Sequence, residues 1–375
     1  MDTSTIFSFL TQMNTVGASD LYLTVGRAPV LRVEDAFQTV DAPSLDPESV
    51  QEIIYSILTA KQRREFDVNW ELNTSLDMGK HGRFRINVMR QRQNPSLVIR
   101  RIVSKIPTIA ELNLPPILQN LAMERRGLVL VTGMTGSGKS TSLASMLNYR
   151  NQHKEGHIIT IEDPIEYYHE HSKSIITQRE IGIDTESYRT ALKNSLRQRP
   201  DVILIGEIRD KEVMEQALTI AETGHLCLAT LHTNNAYQAI ERVVNFFPEE
   251  QGQQIRLNLS MNLKAIVSQR LIPSIEGALV PAIEIMINEA LVRELIAEGR
   301  YEKVTEVMEK NTNIGMQTFD QSILALYKSG LITEETVLNQ SDKVSDIKVK
   351  LQQIKMGQNS GSLQNMDTSL LKVSD

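Results

Sequence analysis

Four short stretches of this 375-residue chain combine residue types and spacings that suit phosphate chemistry. Gly133-Met134-Thr135-Gly136-Ser137-Gly138-Lys139-Ser140, followed by Thr141, is a complete G-x-x-x-x-G-K-[ST] loop between an apolar run and a helical stretch, Thr141 to Asn148. Glycines let such a loop wrap so that its N–H groups and the helix N-terminus face phosphate oxygens. Lys139 would reach the β- and γ-phosphates, and the Ser140 hydroxyl would hold Mg²⁺. Val202-Ile203-Leu204-Ile205-Gly206-Glu207 is an apolar strand that ends in an acid, with Gly206 where a metal-side Asp commonly stands. A carboxylate there faces the metal ion and the attacking water. Thr160-Ile161-Glu162-Asp163-Pro164-Ile165-Glu166 places three acids in five residues after another buried run, where they can orient a cation and polarise water. In the stretch Gly224 to Asn234, His232 ends an apolar strand, where an imidazole meets phosphate, and His225 precedes it. Cys227 lies inside the apolar run and is expected to be a small core residue.

Arginines supply the complementary charge. Arg197, Arg199, Arg209 and Arg242 flank the acidic strand ends, and Arg83, Arg85, Arg90, Arg92, Arg100 and Arg101 crowd the end of the first hundred residues. Any of these could neutralise transition-state charge, as arginine fingers do.

The elements that must position these groups follow from hydrophobic period. Leu128–Val131, Ile158–Ile161, Val202–Ile205 and Leu226–Leu231 are short, near-continuous apolar runs, as expected of strands buried on both faces. Amphipathic helices separate them, one capped by Asp210 and stopped by Gly224. This alternation predicts an α/β domain on a mostly parallel sheet, with a helix after Gln251, then a hairpin (Val267–Ile272, Leu279–Ile287) and a helical C-terminal region. The first hundred residues show short strand patterns and one helical period from Pro47 to Phe66, which predicts a small α+β domain. The expected division is 1–105, a proline-punctuated linker at 106–116 with a hinge near Ser104 to Pro116, a catalytic domain at 117–338 and a polar, partly flexible tail at 339–375.

Composition narrows the function. Forty basic and 46 acidic residues leave a charge of −6, which gives no bulk attraction to nucleic acid and argues against a translocase acting on it. A single cysteine excludes an internal disulfide and a multi-cysteine zinc site. No run approaches the roughly 18 apolar residues of a membrane span, and Met1-Asp2-Thr3-Ser4 lacks a basic leader. A cytoplasmic location is expected.

In this order, the phosphate loop, acidic box, strand ending in Gly-Glu and histidine box resemble the secretion ATPase superfamily. Ala18-Ser19-Asp20-Leu21-Tyr22-Leu23-Thr24-Val25-Gly26 is similar to the N-terminal signature of type IV pilus retraction ATPases of the PilT and PilU kind. Met316-Gln317-Thr318-Phe319-Asp320 resembles their C-terminal region. Ile208, the segment Gln178–Asp184, Glu289-Ala290-Leu291-Val292-Arg293-Glu294-Leu295 and the long tail look nearer to the accessory, PilU-like branch. The lack of a four-cysteine module argues against pilus-extension and type II secretion motors.

The resemblance implies a RecA-like P-loop domain preceded by a small PAS-like α+β domain and followed by a helical C-terminal region, assembled as a homo-hexamer. It implies ATP and Mg²⁺ as cofactors, Glu162 as the residue that activates water, and Glu207 as the carboxylate supporting Mg²⁺ and the γ-phosphate. His232, with His225, would sense phosphate, while Arg83, Arg85, Arg197, Arg209 and Arg242 would contact nucleotide within or across subunits. The implied partners are a paralogous retraction ATPase and the inner-membrane pilus platform protein, with no nucleic acid, and the ring would dock peripherally at that membrane. A coupling subunit that binds nucleotide but whose own hydrolysis is dispensable is the alternative role.

Overall fold

The computed structural model describes residues 3–34, 36–79, 82–102 and 105–363. The chain divides into two units, one made of residues 1–106 with 165–170 and the other of 107–164 with 171–375. Ser104, at the start of the expected hinge, and the end of the tail, 364–375, lie outside the described residues.

The first unit opens with α1 (Thr3–Thr15), then β1 (Asp20–Thr24), β2 (Val30–Val33), β3 (Ala36–Thr39), α2 (Pro47–Ile57), α3 (Ala60–Asn69), β4 (Glu71–Asp77), β5 (Arg83–Gln91) and β6 (Asn94–Ile102). Its sheet is antiparallel, in the order β3-β2-β1-β6-β5-β4. Period-2 burial along β5 sends Phe84, Ile86 and Val88 into the core and Arg83, Arg85 and Asn87 to the other face. The single helical period expected from Pro47 to Phe66 is two helices. Thr59 interrupts it because its hydroxyl accepts from the Gln62 amide while the Gln62 side chain accepts from Thr59 N–H, a capping box that starts a new helix. Asp46 caps the earlier one, with Pro47 at its first position.

The second unit runs α4 (Ile117–Met123), β7 (Gly127–Thr132), α5 (Lys139–His153), β8 (Gly156–Glu162), β9 (Ser174–Glu180), α6 (Tyr188–Ser195), β10 (Val202–Ile205), α7 (Lys211–Glu222), β11 (Leu226–Leu231), α8 (Ala236–Asn245), α9 (Gly252–Asn262), β12 (Leu263–Pro273), β13 (Leu279–Ile287), α10 (Ala290–Glu298), α11 (Val304–Lys310), α12 (Phe319–Lys328), α13 (Glu334–Gln340) and α14 (Val344–Leu363). Its seven strands are ordered β13-β12-β7-β11-β10-β8-β9, and all pairings are parallel except β12 with β13. The central strands are buried on both faces. Leu128, Leu130, Ile203 and Ile205 join one core, while Val129, Val131, Val202 and Leu204 join another on the opposite face. That is why these runs carry no polar alternation.

A third core joins Ile272 and Ala282 of the hairpin to Phe319, Ile323, Val337, Ile347 and Leu351. The segment expected as a polar tail therefore begins with a packed helix. Only its few apolar residues, Ile347 and Leu351 among them, reach the core, which left little periodic signal. The helix after the loop is also longer than Thr141–Asn148, starting at Lys139 and ending at His153. Among the described residues no helix is long and apolar enough to cross a membrane.

Candidate nucleotide and catalytic site

Parallel registry decides which groups meet. Leu231 pairs with Thr132, and Ile205 pairs with both Ala229 and Ile161. The chain positions that follow these strands, Gly133, His232, Gly206-Glu207 and Glu162, therefore emerge along one edge. This is the carboxyl edge, where ligands bind in open parallel sheets.

The loop Gly133–Ser140 turns between β7 and α5. Gly138 adopts a left-handed conformation (φ 86°) immediately before the helix, which only glycine takes without strain. The buried Lys139 ammonium donates to the carbonyls of Gly133 (2.8 Å) and Met134 (2.9 Å), bridging the loop it belongs to. The hydroxyls of Thr132, Ser137 and Thr233 are buried with no hydrogen-bond partner among the described residues. Buried hydroxyls are normally satisfied, so three unsatisfied ones around a cationic, glycine-rich loop suit a polar, anionic ligand. The donors present (loop amides, a lysine and the Ser140 hydroxyl, with carboxylates nearby) match those that hold a nucleotide phosphate with its Mg²⁺.

Beside the loop stands the acidic set. Glu162, the last residue of β8, accepts from Thr160 Oγ1 at 2.6 Å and from Gln178 Nε2 at 3.3 Å, so one carboxylate oxygen is fixed by two neighbouring strands. Glu207 receives Arg209 Nε on one oxygen (2.8 Å) and lies 3.1 Å from His232 Nε2 through the other. Arg209 also reaches Asp163 at 3.2 Å. Its guanidinium is held above its ordinary pKa, first by the hydrogen bond to Glu207. The Tyr188 hydroxyl is pushed up as well, first by burial and then by the Asp163 charge. It therefore stays a neutral donor beside the acids.

Gly206 explains the departure from an aspartate. A Cβ there would lie 3.0 Å from Tyr188 Oη, 3.2 Å from Glu162 Cα and 3.2 Å from Ile161 O. Its N–H donates to Ile161 O (2.8 Å) and its carbonyl accepts from Thr230 Oγ1. Residue 206 is thus pinned against the backbone that carries Glu162.

Other expected residues are not brought here. His225 precedes β11 and hydrogen-bonds Thr223 Oγ1, about 20 Å of strand away from His232. It stands at the opposite edge of the sheet from the glycine loop. Arg197 sits in a 3₁₀ turn (Leu196–Gln198) before β10, at the same far edge, where Gln198 O meets His157 Nδ1. Arg242 lies in the last turn of α8 with its guanidinium over Phe246, 4.9 Å from the ring centre. Within this chain neither joins the acidic set: Arg197 precedes its strand, and Arg242 follows β11 at the end of α8. Arg83 and Arg85 belong to the other unit, as does Glu166. On β5, Arg85 lies opposite Arg100, and both line an open polar pocket of about 330 Å³ with Asp20, Asn73 and Asn87. Cys227 is fully buried, which pushes its thiol pKa up, as expected of a core residue.

Sequence reasoning missed Thr160, Tyr188, Ser142, Gln269 and Glu284. Of these, Glu284 carried a signal, a lone acid inside an apolar strand, whereas Gln269 sits between Ser268 and Arg270. Glu284 is 3% exposed and accepts from Ala236 N–H (2.7 Å), the first amide of α8, just after His232. Burial raises its pKa to about 7, with the Ala236 amide opposing.

A parallel sheet with a phosphate loop and paired acids at its carboxyl edge, followed by a helical C-terminal region, defines the RecA-like fold of secretion ATPases. Residues 12–337 match the Type II/IV secretion system protein family, and the chain belongs to it. It is 48% identical to the type IV pilus ATPase PilU of Pseudomonas aeruginosa over 345 residues, 92% of this chain and 90% of that one. It is 42% identical to the pilus retraction ATPase PilT of the same organism over 335 residues, 89% of this chain and 96% of that one. A solved structure, the pilus retraction motor PilT with bound ADP, superposes with a TM-score of 0.86 at 43% identity, covering 91% of this chain and 98% of that one.

Proposed function

We propose that the chain is an ATP-hydrolysing motor of type IV pilus retraction, of the PilU-like accessory kind, acting as a homo-hexamer in the cytoplasm. One observation carries the catalytic part: Gly133–Ser140, Glu162, the Glu207–Arg209–Asp163 group and His232 converge on a single sheet edge. Similarity to pilus ATPases over 92% and 89% of the chain supplies the biological setting.

In this scheme the loop amides, Thr141 and Lys139 bind the nucleotide phosphates and hold the γ-phosphate in line. Glu162, with one oxygen held by Thr160 Oγ1 and Gln178 Nε2, would orient the attacking water. Mg²⁺ would be held by Ser140 and, directly or through water, by Glu207, and it supplies neutralisation of phosphate charge. His232, 3.1 Å from Glu207, reports the γ-phosphate to the segment leading into α8. Arg209 is poised to exchange carboxylates for phosphate oxygens, and arginines of the first unit, Arg83 and Arg85 foremost, would reach nucleotide in the assembled ring. The higher identity to PilU than to PilT favours the accessory role, with a paralogous retraction ATPase and the inner-membrane platform protein as partners, and peripheral docking at that membrane.

The test is steady-state ATP hydrolysis by wild type, Lys139→Ala and Glu162→Gln, with oligomer mass measured on the same samples. Turnover by a hexamer, abolished in both variants, supports the motor. An assembled ring that binds ATP yet turns over no faster than its variants makes the chain a nucleotide-gated coupling subunit instead.

A further inference from the structure

Gln269 lies in β12, next to β7, the strand that leads into the phosphate loop. It is 4% exposed and ends a run of buried residues, Ala265 to Gln269. A carboxamide in such a place needs partners, and these lie at the loop. Its Oε1 accepts from Ser142 Oγ at 2.7 Å, and Ser142 is buried in the first turn of α5. Its Nε2 lies 2.7 Å from where a Cβ on Gly138 would stand. Its backbone carbonyl lies 2.4 Å from the corresponding point on Gly133. One residue therefore backs both ends of the loop: its main chain fills the space behind the first glycine, and its side chain fills the space behind the last.

We propose that Gln269 is a positioning residue for nucleotide binding, a strut that fixes the spacing between Gly133 and Gly138 and, through Ser142, the start of the helix that carries Lys139. It touches no reacting atom. β12 flanks β7 on one side, whereas Glu207 and Glu162 follow β10 and β8 on the other. Loss of the strut should loosen the phosphate cradle more than it disturbs the groups that orient water. The glycine requirement at 133 and 138 then has a local cause beyond backbone freedom, since any side chain there would meet Gln269.

The inference rests on the loop being the nucleotide site, and the experiment separates the two. The full chain, as wild type, Gln269→Leu, Ser142→Ala, the double variant and Lys139→Ala, is titrated with a fluorescent ATP analogue and assayed for kcat and KM. Thermal unfolding is recorded on each sample. Gln269→Leu keeps the volume but removes the carboxamide, and Ser142→Ala removes only the hydroxyl. The expected result is a three- to tenfold rise in Kd and KM for each single variant. In those variants kcat should change by less than twofold, and the double variant should be no worse than the weaker-binding single, as for one shared contact. Unchanged Kd in folded Ser142→Ala and Gln269→Leu overturns the proposal, as does a kcat loss as large as the KM change, or full additivity. Should Gln269→Leu fail to fold, Ser142→Ala decides. Should Lys139→Ala bind the analogue as wild type does, the loop is not the site and the broader reading fails first.

Discussion

The two ends of the parallel sheet carry similar residue types and do different things. At the carboxyl edge, an imidazole, an arginine and two glutamates (His232, Arg209, Glu207 and Glu162) stand beside Lys139 in registry. At the amino edge His225, Arg197, His157 and Asp201 also gather, with Asp201 accepting from His157 N–H at 2.8 Å. The difference lies in strand direction. The glycine loop and the N-terminus of α5 lie at the carboxyl edge, so charges there flank the proposed phosphate cradle, while those at the other edge serve to close turns. Residue type is thus a poor guide to function until the edge is known.

Paired substitutions across the two edges test this contrast. The largest effect is expected from Glu162→Gln, a fall in kcat of about 10³-fold with nucleotide affinity retained, the scale of losing a positioned base. Asp201→Asn at the far edge should leave kcat within twofold, and equal losses in the two would erase the distinction. Gly206→Asp comes next. Its side chain would press on the Glu162 backbone and Tyr188 and should cost at least tenfold in kcat together with about 1–3 kcal/mol of stability, read by turnover and urea unfolding. An active, stable Gly206→Asp would show that the acidic box tolerates movement. His232→Gln should lower kcat about tenfold while His225→Gln leaves it within twofold. Arg209→Ala against Arg197→Ala should repeat that pattern with a smaller gap, since Arg209 is half exposed and its ion pairs are screened.

The smallest effect concerns Glu284, which ties the segment after His232 to the hairpin. Its carboxyl has a pKa of about 7 in the folded chain against an ordinary 4.5. Between those two values the folded protein holds a proton that the unfolded chain has lost, so folding stability falls as pH rises through this window. Glu284→Gln should remove that part of the decline. The difference in melting temperature between variant and wild type should grow from pH 5 to pH 8, and a constant difference would show that Glu284 is ionised throughout.

Much of this was legible beforehand for a simple reason. Gly133–Ser140, Glu162, Glu207 and His232 each directly follow a run of apolar residues, and in an alternating α/β chain the end of such a run is the binding edge. Arg197 and His225 lie near those runs in sequence but precede their strands. Helix α14 escaped notice because a helix at the surface needs only a sparse apolar stripe, and the break at Thr59 was hidden because apolar spacing continues through the cap.

Local sequence therefore determined most secondary elements of the second unit, the glycine-rich loop and the identity of the acids, since these depend on neighbours within a few residues. Tertiary structure alone decided that Gly206 must lack a side chain beside Glu162, that Arg209 joins Glu207 to Asp163, and that Gln269 and Glu284 brace the loop and α8 from strands more than 40 residues away. Such contacts depend on strand order and register. Those are set by packing of whole faces, so no local pattern encodes them.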